Sequence, residues 1–532
     1  MEDQNRFRSW LAGGMIDRMK YDHSRLIFVA IAASVLAACA TNPVTGKNEL
    51  MLVGESTELQ IGQKNFAPMR QSEGGDQQLD PGLTAYVQGV GQRLAAVSDR
   101  KLPYEFAVLN NSIPNAWALP GGKIAVNRGL LTELKSESEL AAVLGHEIVH
   151  AAARHSAQAM SRGMLIQGGL IAAQVAAHDS DYGNIAMLGA GIGAQLVTQR
   201  YSREAELEAD KYGIDYMKRA GYDAQGAVSL QETFVRLNNR KDSSWLSGMF
   251  ASHPPSQERL DANRRKAAAL PPGGDSGADR YRAALASTMR AKPAYDAYDA
   301  GRKALSEKHA DVALTNAEQA IRLEPDEGNF YALKGDALLV QKKLSAATDA
   351  YTAAIQRNDN FFYYYLQRGL VAERQSDDES ARRDLETSIK LLPTGPAYNS
   401  LGNIALRARQ SDVARQYFAQ ASGAGGPVGE AATLSLMKLE LPGNPEKYLR
   451  KQGALDGGGK LVVAIANATK VPVTGLVVSV QYVDAGGKTR EFRRELSGTL
   501  AGGQQVQVAT GLGPFQNSNQ FRISIVGARV VE

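Results

Sequence analysis

The sequence predicts a multidomain, mainly α-helical chain with an all-β end, and three observations predict it. Glycine recurs at Gly301, Gly335, Gly369 and Gly402, at intervals of 34, 34 and 33 residues. A helix-favouring run with a capping signal extends from Ser136 to Ala153. After Gly457-Gly458-Gly459, β-branched runs alternate with Gly and Asn turns. The expected plan is an α-rich first domain with a small edge sheet, an α-solenoid of repeats and a C-terminal β-sandwich. A chain of 532 residues accommodates about three such domains.

At the N-terminus, Leu26 to Ala38 is an apolar run preceded by Lys20 and Arg25. It is too short to span a bilayer as an ordinary helix and fits the hydrophobic region of a secretory signal. It ends in Leu36-Ala37-Ala38-Cys39, which resembles a bacterial lipobox. Residues 1–39 are therefore expected to form a lipoprotein signal peptide, with Cys39 becoming the acylated first residue of the mature chain. A start at Met15 or Met19 would give this signal a more ordinary basic end. Cys39 is the only cysteine, so no disulfide can form within one chain. Ala40 follows it rather than Asp, which in a Gram-negative cell implies sorting to the outer membrane, facing the periplasm. Several acyl chains on one cysteine suffice for stable anchoring.

The pentapeptide His146-Glu147-Ile148-Val149-His150 is the H-E-x-x-H pattern able to hold a catalytic zinc ion. Only seven histidines occur in the chain, so this spacing is informative. Ser136-Glu137-Ser138-Glu139 reads as a capping box that starts a helix near Ser136. On a helix, residues four apart share a face, and both imidazoles can converge on one ion. Glu147 lies beside them, placed to work on the attacking water. A third ligand is needed. The arrangement with a third histidine six residues on fails, because Ala153 and Ser156 occupy the required positions. His155 is one residue out of register and is expected on an exposed helix face. The alternative is a carboxylate from a later helix, which Tyr201-Ser202-Arg203-Glu204-Ala205-Glu206-Leu207-Glu208-Ala209-Asp210 supplies. Ser202 can cap that helix, and Glu206 and Asp210 lie one above the other. One would bind metal while the other accepts a hydrogen bond from a ligand imidazole.

H-E-x-x-H followed by S-R-x-x-E-x-x-A-D resembles the HtpX-type gluzincin metallopeptidases. Asn115-Ala116-Trp117-Ala118-Leu119-Pro120-Gly121-Gly122 is similar to the family's N-A-F-A-x-P-G-G segment, with Trp117 where Phe is usual. Ser252-His253-Pro254-Pro255 followed by Glu258-Arg259-Leu260 is similar to its S-H-P-x-x-x-x-R-L segment. The resemblance implies a zinc metallopeptidase domain at 40–266, with one Zn²⁺ per chain held by His146, His150 and Glu206. It implies Glu147 as general base and later proton donor, and Asp210 as the imidazole's partner. His253 is implied either as a stabiliser of the oxyanion or as a fourth zinc ligand that closes the site. Asn115, Ala116 and Trp117 are expected on an edge strand able to pair with an extended peptide. The apolar stretches 163–177 and 185–197 are each under eighteen residues, and are expected to be buried or groove-lining helices.

A linker is expected at 267–293, headed by Pro271-Pro272-Gly273-Gly274. The repeats follow at 294–425. Twelve residues after each repeat glycine stands Ala313, Ala347, Ala381 or Ala414, and nineteen after stands Ala320, Ala354, Ser388 or Ala421. This spacing matches the tetratricopeptide unit, in which small residues let paired helices approach. Four such units form a concave surface for a protein partner. Of the aromatics Phe361, Phe362, Tyr363, Tyr364 and Tyr365, some are expected to pack in the stack and one or two to line the groove. A second linker is expected at 426–457. Strands are expected at Leu461–Ile465, Leu476–Val483, Gln505–Val508 and Phe521–Ile525, forming an immunoglobulin-like sandwich over 458–532.

The net charge is +4, and Lys and Arg are dispersed, so nothing points to nucleic acid. The combination resembles the BepA-type periplasmic proteases, which pair this peptidase with tetratricopeptide repeats. That resemblance implies unfolded or misassembled envelope proteins as substrates, a role in outer-membrane protein quality control, and the outer-membrane assembly machinery as a partner of the repeats. The competing expectation is a non-proteolytic scaffold or chaperone.

Overall fold

The computed structural model describes residues 39–177, 201–238, 252–484 and 486–531. The expected signal region 1–38 and the apolar stretch 185–197 lie outside the described residues. The chain divides into two compact units, one running to Ala337 with Gln356–Phe361, the other comprising Leu338–Ile355 and the chain from Phe362 onward.

The first unit opens with β1 (Cys39–Thr41) and β2 (Asn48–Leu50), paired antiparallel. Two helices follow, α1 (Glu55–Ser72) and α2 (Pro81–Ala96). Asp80 caps α2 by accepting from Leu83 N–H, with Pro81 in the first turn, where its missing donor costs nothing. Strands β3 (Glu105–Leu109), β4 (Ala116–Leu119) and β5 (Lys123–Asn127) form one sheet in the order β3-β5-β4. β5 lies parallel to β3 and antiparallel to β4. Gly121 and Gly122 turn the β4–β5 hairpin with φ of +81° and +82°. Two successive left-handed residues suit the strand twist and are open to glycine at little cost. The short α3 (Arg128–Leu131) leads to α4 (Glu137–Ala152), which carries the H-E-x-x-H pattern. Every residue of α4 is buried, so this helix is the centre of the domain rather than a surface element. Leu140, Leu144 and Ile148 share a core with Leu83, Val87 and Leu94 of α2 and with Phe106, Ile124 and Val126 of the sheet.

Next come α5 (His155–Ala177), α6 (Arg203–Arg219), α7 (Gln225–Asn238) and α8 (Gln257–Ala268). The expected linker 267–293 is largely helical. It contains α9 (Ala278–Ala284) and the start of α10 (Ala286–Ser306), which runs straight through Pro293. Apolar burial overrides the turn signal here: Tyr281 and Leu285 sit in the peptidase core, and the Tyr281 hydroxyl donates to Leu131 C=O at 2.6 Å. Tyr295 of α10 donates to Glu327 at 2.6 Å, and the Arg128 guanidinium covers its ring at 3.3 Å. The first repeat helix is thus part of the peptidase unit.

The repeats continue through α11 (Ala310–Leu323), α12 (Gly328–Val340), α13 (Leu344–Arg357), α14 (Phe362–Arg374), α15 (Asp378–Leu391), α16 (Gly395–Arg407) and α17 (Ser411–Ser422). The spaced small residues Ala313, Ala347, Ala381, Ala414, Ala320, Ala354, Ser388 and Ala421 are fully buried. A Cβ on Gly369 would lie 2.8 Å from Leu385 Cγ, and one on Gly402 would lie 2.6 Å from Phe418 Cε1. Phe361 and Tyr364 are buried, and Phe362, Tyr363 and Tyr365 are half-buried.

The turn inside each repeat carries a non-glycine residue in the left-handed region: Lys308, Lys342, Ser376 and Arg409, with φ of 65°, 62°, 63° and 59°. Such residues cost roughly 1 kcal/mol or more, part of which glycine returns as unfolded-chain entropy. Each change to glycine is expected to stabilise the repeats by up to about 1 kcal/mol. Thermal unfolding of the four single variants checks this, and unchanged or lowered midpoints would mean that these turns hold no strain.

The expected linker 426–457 is also structured. It holds α18 (Gly426–Glu440), a 3₁₀ turn (Pro445–Lys447) and β6 (Leu449–Leu455). α18 is retained because it has two apolar faces: Ala432 and Leu436 pack with Phe418 and Ala421, while Met437 joins the β core. Strands β7 (Leu461–Asn467), β8 (Val473–Val483), β9 (Thr489–Leu500), β10 (Gln505–Ala509) and β11 (Phe521–Val530) complete the C-terminal part. They form two antiparallel three-stranded sheets, ordered β10-β7-β6 and β11-β8-β9. Val463 and Ile465 from one sheet and Val478, Val480 and Ile525 from the other fill one core.

Candidate metal centre

The centre begins with two helix starts. Ser136 Oγ accepts from Glu139 N–H at 3.2 Å, and the Glu139 carboxylate accepts from Lys135 N–H at 2.8 Å, which fixes the first turn of α4. Ser202 Oγ accepts from Ala205 N–H and fixes α6. The two helices then cross backbone to backbone. A Cβ on Gly145 would lie 3.1 Å from Gly213 O, and one on Gly213 would lie 3.1 Å from His146 N. The glycine that interrupts the helix-favouring run before His146 is therefore what lets α6 reach the histidines.

His146, His150, Glu206 and His253 each place one ligand atom so that all four lie within 4.8 Å of one another, and all four residues are buried. His146 Nε2 is 3.0 Å from His150 Nε2 and 3.3 Å from His253 Nδ1. Glu206 oxygens lie 3.6 Å from His146 Nε2, 3.5 Å from His150 Nε2 and 2.9 Å from His253 Nδ1. A tetrahedral zinc with bonds of 2.0–2.1 Å holds its ligand atoms roughly 3.3 Å apart. The donor types and spacings fit zinc.

The surrounding bonds set the tautomers. His146 Nδ1 meets Asp210 Oδ1 at 2.9 Å; a carboxylate accepts only, so Nδ1 carries the proton and Nε2 offers its lone pair. His155 Nε2 lies 3.3 Å from Glu208 Oε1, so that nitrogen is the donor and His155 Nδ1 accepts. His150 Nδ1, 2.9 Å away, then donates to His155, leaving His150 Nε2 free for metal. Asn42 Nδ2 donates to Glu208 at 3.3 Å and ends this line. The exposed position expected for His155 is thus incorrect. It is only 2 % exposed, because the turn after α4, with Arg154 at φ 64°, swings α5 back over the metal-binding helix.

Charge around the cluster is balanced by Arg259. Its guanidinium donates to both Asp210 oxygens at 2.7 and 2.8 Å and lies 2.8 Å from Glu206 Oε2. Burial alone would raise both carboxyls. For Glu206, the charges of His253, His146 and Arg259 outweigh burial and hold it down to about 2. For Asp210, Arg259 and the His146 bond hold it well below the usual carboxylate range. Burial, and then the neighbouring His146, His155 and His253, keep His150 well below the usual imidazole range, the neutral form a metal needs. The Tyr201 ring stacks on His150 with centroids 4.0 Å apart, and its hydroxyl meets Ser156 Oγ at 2.9 Å.

Glu147 is 1 % exposed, and its Oε2 has no hydrogen-bond partner among the described residues. Its Oε1 lies 3.7 Å from His253 Nε2. The adjoining cavity is about 20 Å³, lined by His146, Glu147, Asp210, His253 and Arg259 with apolar neighbours. That volume holds roughly one water molecule.

Among the other candidates, Ala116 and Trp117 lie on β4, at the edge of the sheet, with Asn115 just before it. Trp117 is a core residue, its ring edge-on to Phe66 at 5.9 Å. Asn115 Oδ1 and Trp117 Nε1 are buried without hydrogen-bond partners among the described residues. Cys39 is the first residue of β1, opposite Leu50. His155, Glu208, Tyr201 and Arg259 had no assigned role in the sequence. Arg259 was visible within the S-H-P-x-x-x-x-R-L segment, and Glu208 within the acidic helix.

Because His155 orients His150, His155→Ala is expected to weaken zinc binding by about 10- to 100-fold. Competition against a chromogenic chelator measures it, with Asp210→Asn as the parallel case on His146. Unchanged affinity would show that His155 does not position the ligand.

A buried His-His-Glu centre with a free glutamate beside it, set on crossed helices behind a small edge sheet, defines the gluzincin class of metallopeptidase. Residues 81–267 match the model of peptidase family M48, and the chain belongs to that family. It is 32% identical over 184 residues to metalloprotease YcaL of Escherichia coli (strain K12), covering 34% of this chain and 70% of that protein. It is 30% identical over 233 residues to the beta-barrel assembly-enhancing protease of the same strain, covering 43% of this chain and 46% of the relative. A mitochondrial metalloendopeptidase of Schizosaccharomyces pombe is 33% identical over 222 residues, covering 41% of this chain and 63% of its own. The chain spans about half the length of the assembly-enhancing proteases that it matches.

Proposed function

We propose that the protein is a zinc-dependent endopeptidase, lipid-anchored through Cys39 at the periplasmic face of the outer membrane, that hydrolyses unfolded or misassembled envelope proteins. The observation that carries the reading is Glu147: a buried carboxylate oxygen without a hydrogen-bond partner among the described residues, beside a set of zinc-type donors. When bound, zinc supplies Lewis-acid polarisation of the scissile carbonyl and lowers the pKa of the attacking water. Glu147 Oε2 accepts the proton of that water as its oxygen attacks the carbonyl carbon. The same oxygen then returns the proton to the amide nitrogen as the C–N bond breaks. Asp210 and His155 hold the two ligand imidazoles with their Nε2 lone pairs inward. The position of β4 at the edge of its sheet supports an extended peptide as substrate. The relatives' role in β-barrel assembly supports outer-membrane quality control, with the repeats holding a protein partner such as the assembly machinery.

His253 supports a closed resting form. Its Nδ1 lies among the clustered donor atoms and could serve as a fourth ligand, and its Nε2 faces Glu147. Of the two roles that the resemblance implies for it, this geometry favours the closing one.

The test is metal content together with cleavage of casein. One zinc per chain is expected, with cleavage lost on chelation and restored by added zinc. Cleavage that survives complete zinc removal, or a chain that binds no zinc, would defeat the proposal.

A further inference from the structure

We propose that the exposed apolar stretch of α5, Met164-Leu165-Ile166, together with Leu52, is a second membrane contact that seats the peptidase on a phospholipid surface beside its anchor. The choice of a bilayer as occupant rests on Cys39 being the acylated residue. Leu52, Met164, Leu165 and Ile166 are 42, 48, 47 and 65 % exposed. Three consecutive helical residues point in directions about 100° apart, so no single protein face can cover them all. A solvated helix shows a polar side, and this one has little to show: from Gly163 to Ala177 the sequence contains no Asp, Glu, Lys or Arg. An uncharged, largely apolar stretch of helix belongs in a protein core or against lipid. No described helix is long and apolar enough to cross a membrane, and the proposal is contact with the surface.

The location identifies the lipid. Ala40, the residue after Cys39, packs against a small cluster of Met51, Val53 and Ala157, and Met160 of α5 packs against the same cluster. Leu52 N–H donates to Ser161 Oγ at 2.9 Å, bringing the chain after β2 on to the same helix. Met164 is one turn, about 6 Å, beyond Met160. Cys39 itself opens β1 and is paired with Leu50, so no flexible spacer separates an acyl group there from the folded domain. A bilayer that receives the acyl chains therefore lies within reach of the apolar stretch. The same helix begins at His155, which contacts the ligand His150, and Met164 is nine residues on, roughly 14 Å along the axis. Docking would hold the metal centre at the membrane surface, where it meets chains emerging from or lying on the bilayer.

The experiment uses the mature chain from residue 39 with Cys39→Ser, which removes acylation and isolates the second contact. Co-sedimentation with vesicles of phosphatidylethanolamine and phosphatidylglycerol is compared with that of the same chain carrying Met164→Gln, Leu165→Gln and Ile166→Gln. The parent is expected to partition on to the vesicles, and the triple variant to lose at least about tenfold of that partitioning, at unchanged zinc content and thermal midpoint. A parent that stays in the supernatant, or a variant that binds as well as the parent, would overturn the inference. So would a parent that self-associates through these residues in sedimentation velocity without binding vesicles, since a second copy would then be the occupant. The anchor is tested separately by the mass of the Cys39 peptide from cell envelopes. Unmodified Cys39 together with vesicle binding would refute the anchor and support the docking face.

Discussion

Glu147→Gln is expected to abolish cleavage while leaving zinc in place. Glutamine has nearly the same shape, so the packing around a residue that is 1 % exposed is kept. Glu147 is not among the four clustered donors, so the donor set survives. What is lost is proton transfer. A carboxylate oxygen can take the proton of the attacking water and hand it to the leaving amine; an amide can do neither at neutral pH. Losing a general acid–base group costs on the order of 10²–10⁴ in rate. Casein cleavage and zinc content, measured on the same preparation, decide the matter. Full cleavage by the variant would remove Glu147 from the chemistry. Lost zinc would make it a ligand. An inactive, zinc-loaded variant that still supported envelope assembly in cells would favour the scaffold reading, in which the repeats do the work.

The H-E-x-x-H spacing put His146 and His150 on one face with Glu147 beside them, because a helix turns a four-residue interval into one face, and the structure brings both histidines into one cluster with Glu206. The choice between Glu206 and Asp210 was not in the spacing. It depends on how α6 crosses α4, which Gly145 and Gly213 set by letting the two backbones touch. His155 was misplaced for a related reason: extending α4 in register points it outward, whereas the left-handed Arg154 ends that helix and redirects the chain. Regular features were the most legible. The repeat spacing marked Gly369 and Gly402, at which an added Cβ would meet Leu385 and Phe418. In the β region, the central strands β7 and β8 carry the apolar runs that sequence reading detects. β6 and β9 were missed because they are edge strands rich in charge, Arg450-Lys451 in one and Arg490 to Glu495 in the other. Both expected linkers hold regular structure, the first mainly helix and the second a helix followed by β6, because Tyr281, Leu285 and Met437 gain more from tertiary burial than turn-forming neighbours signal locally.

His253→Ala is expected to raise cleavage, not to lower it. In the structure His253 Nδ1 lies 3.3 Å from His146 Nε2 and 2.9 Å from Glu206 Oε1, inside the ligand set. Its Nε2 is 3.7 Å from Glu147 Oε1, so one side chain stands against both the donor cluster and Glu147. Burial alone would lower the His253 pKa, but Glu206 and Glu147 outweigh it and raise it, so the two carboxylates attract the ring. A substrate carbonyl and a water cannot enter until this ring leaves. The adjoining cavity of about 20 Å³ is far too small for a peptide. If the closed form outweighs the open form ten- to a hundredfold, removing the ring should raise the casein rate by about the same factor. An oxyanion stabiliser would behave in the opposite way, with alanine costing on the order of 10²–10³ in rate. Zinc binding adds a second readout: a lost fourth ligand should speed zinc release to a chelator, whereas a lost oxyanion donor should not. A variant with both unchanged rate and unchanged zinc release would leave His253 without either role, and closure would then have to come from another part of the chain.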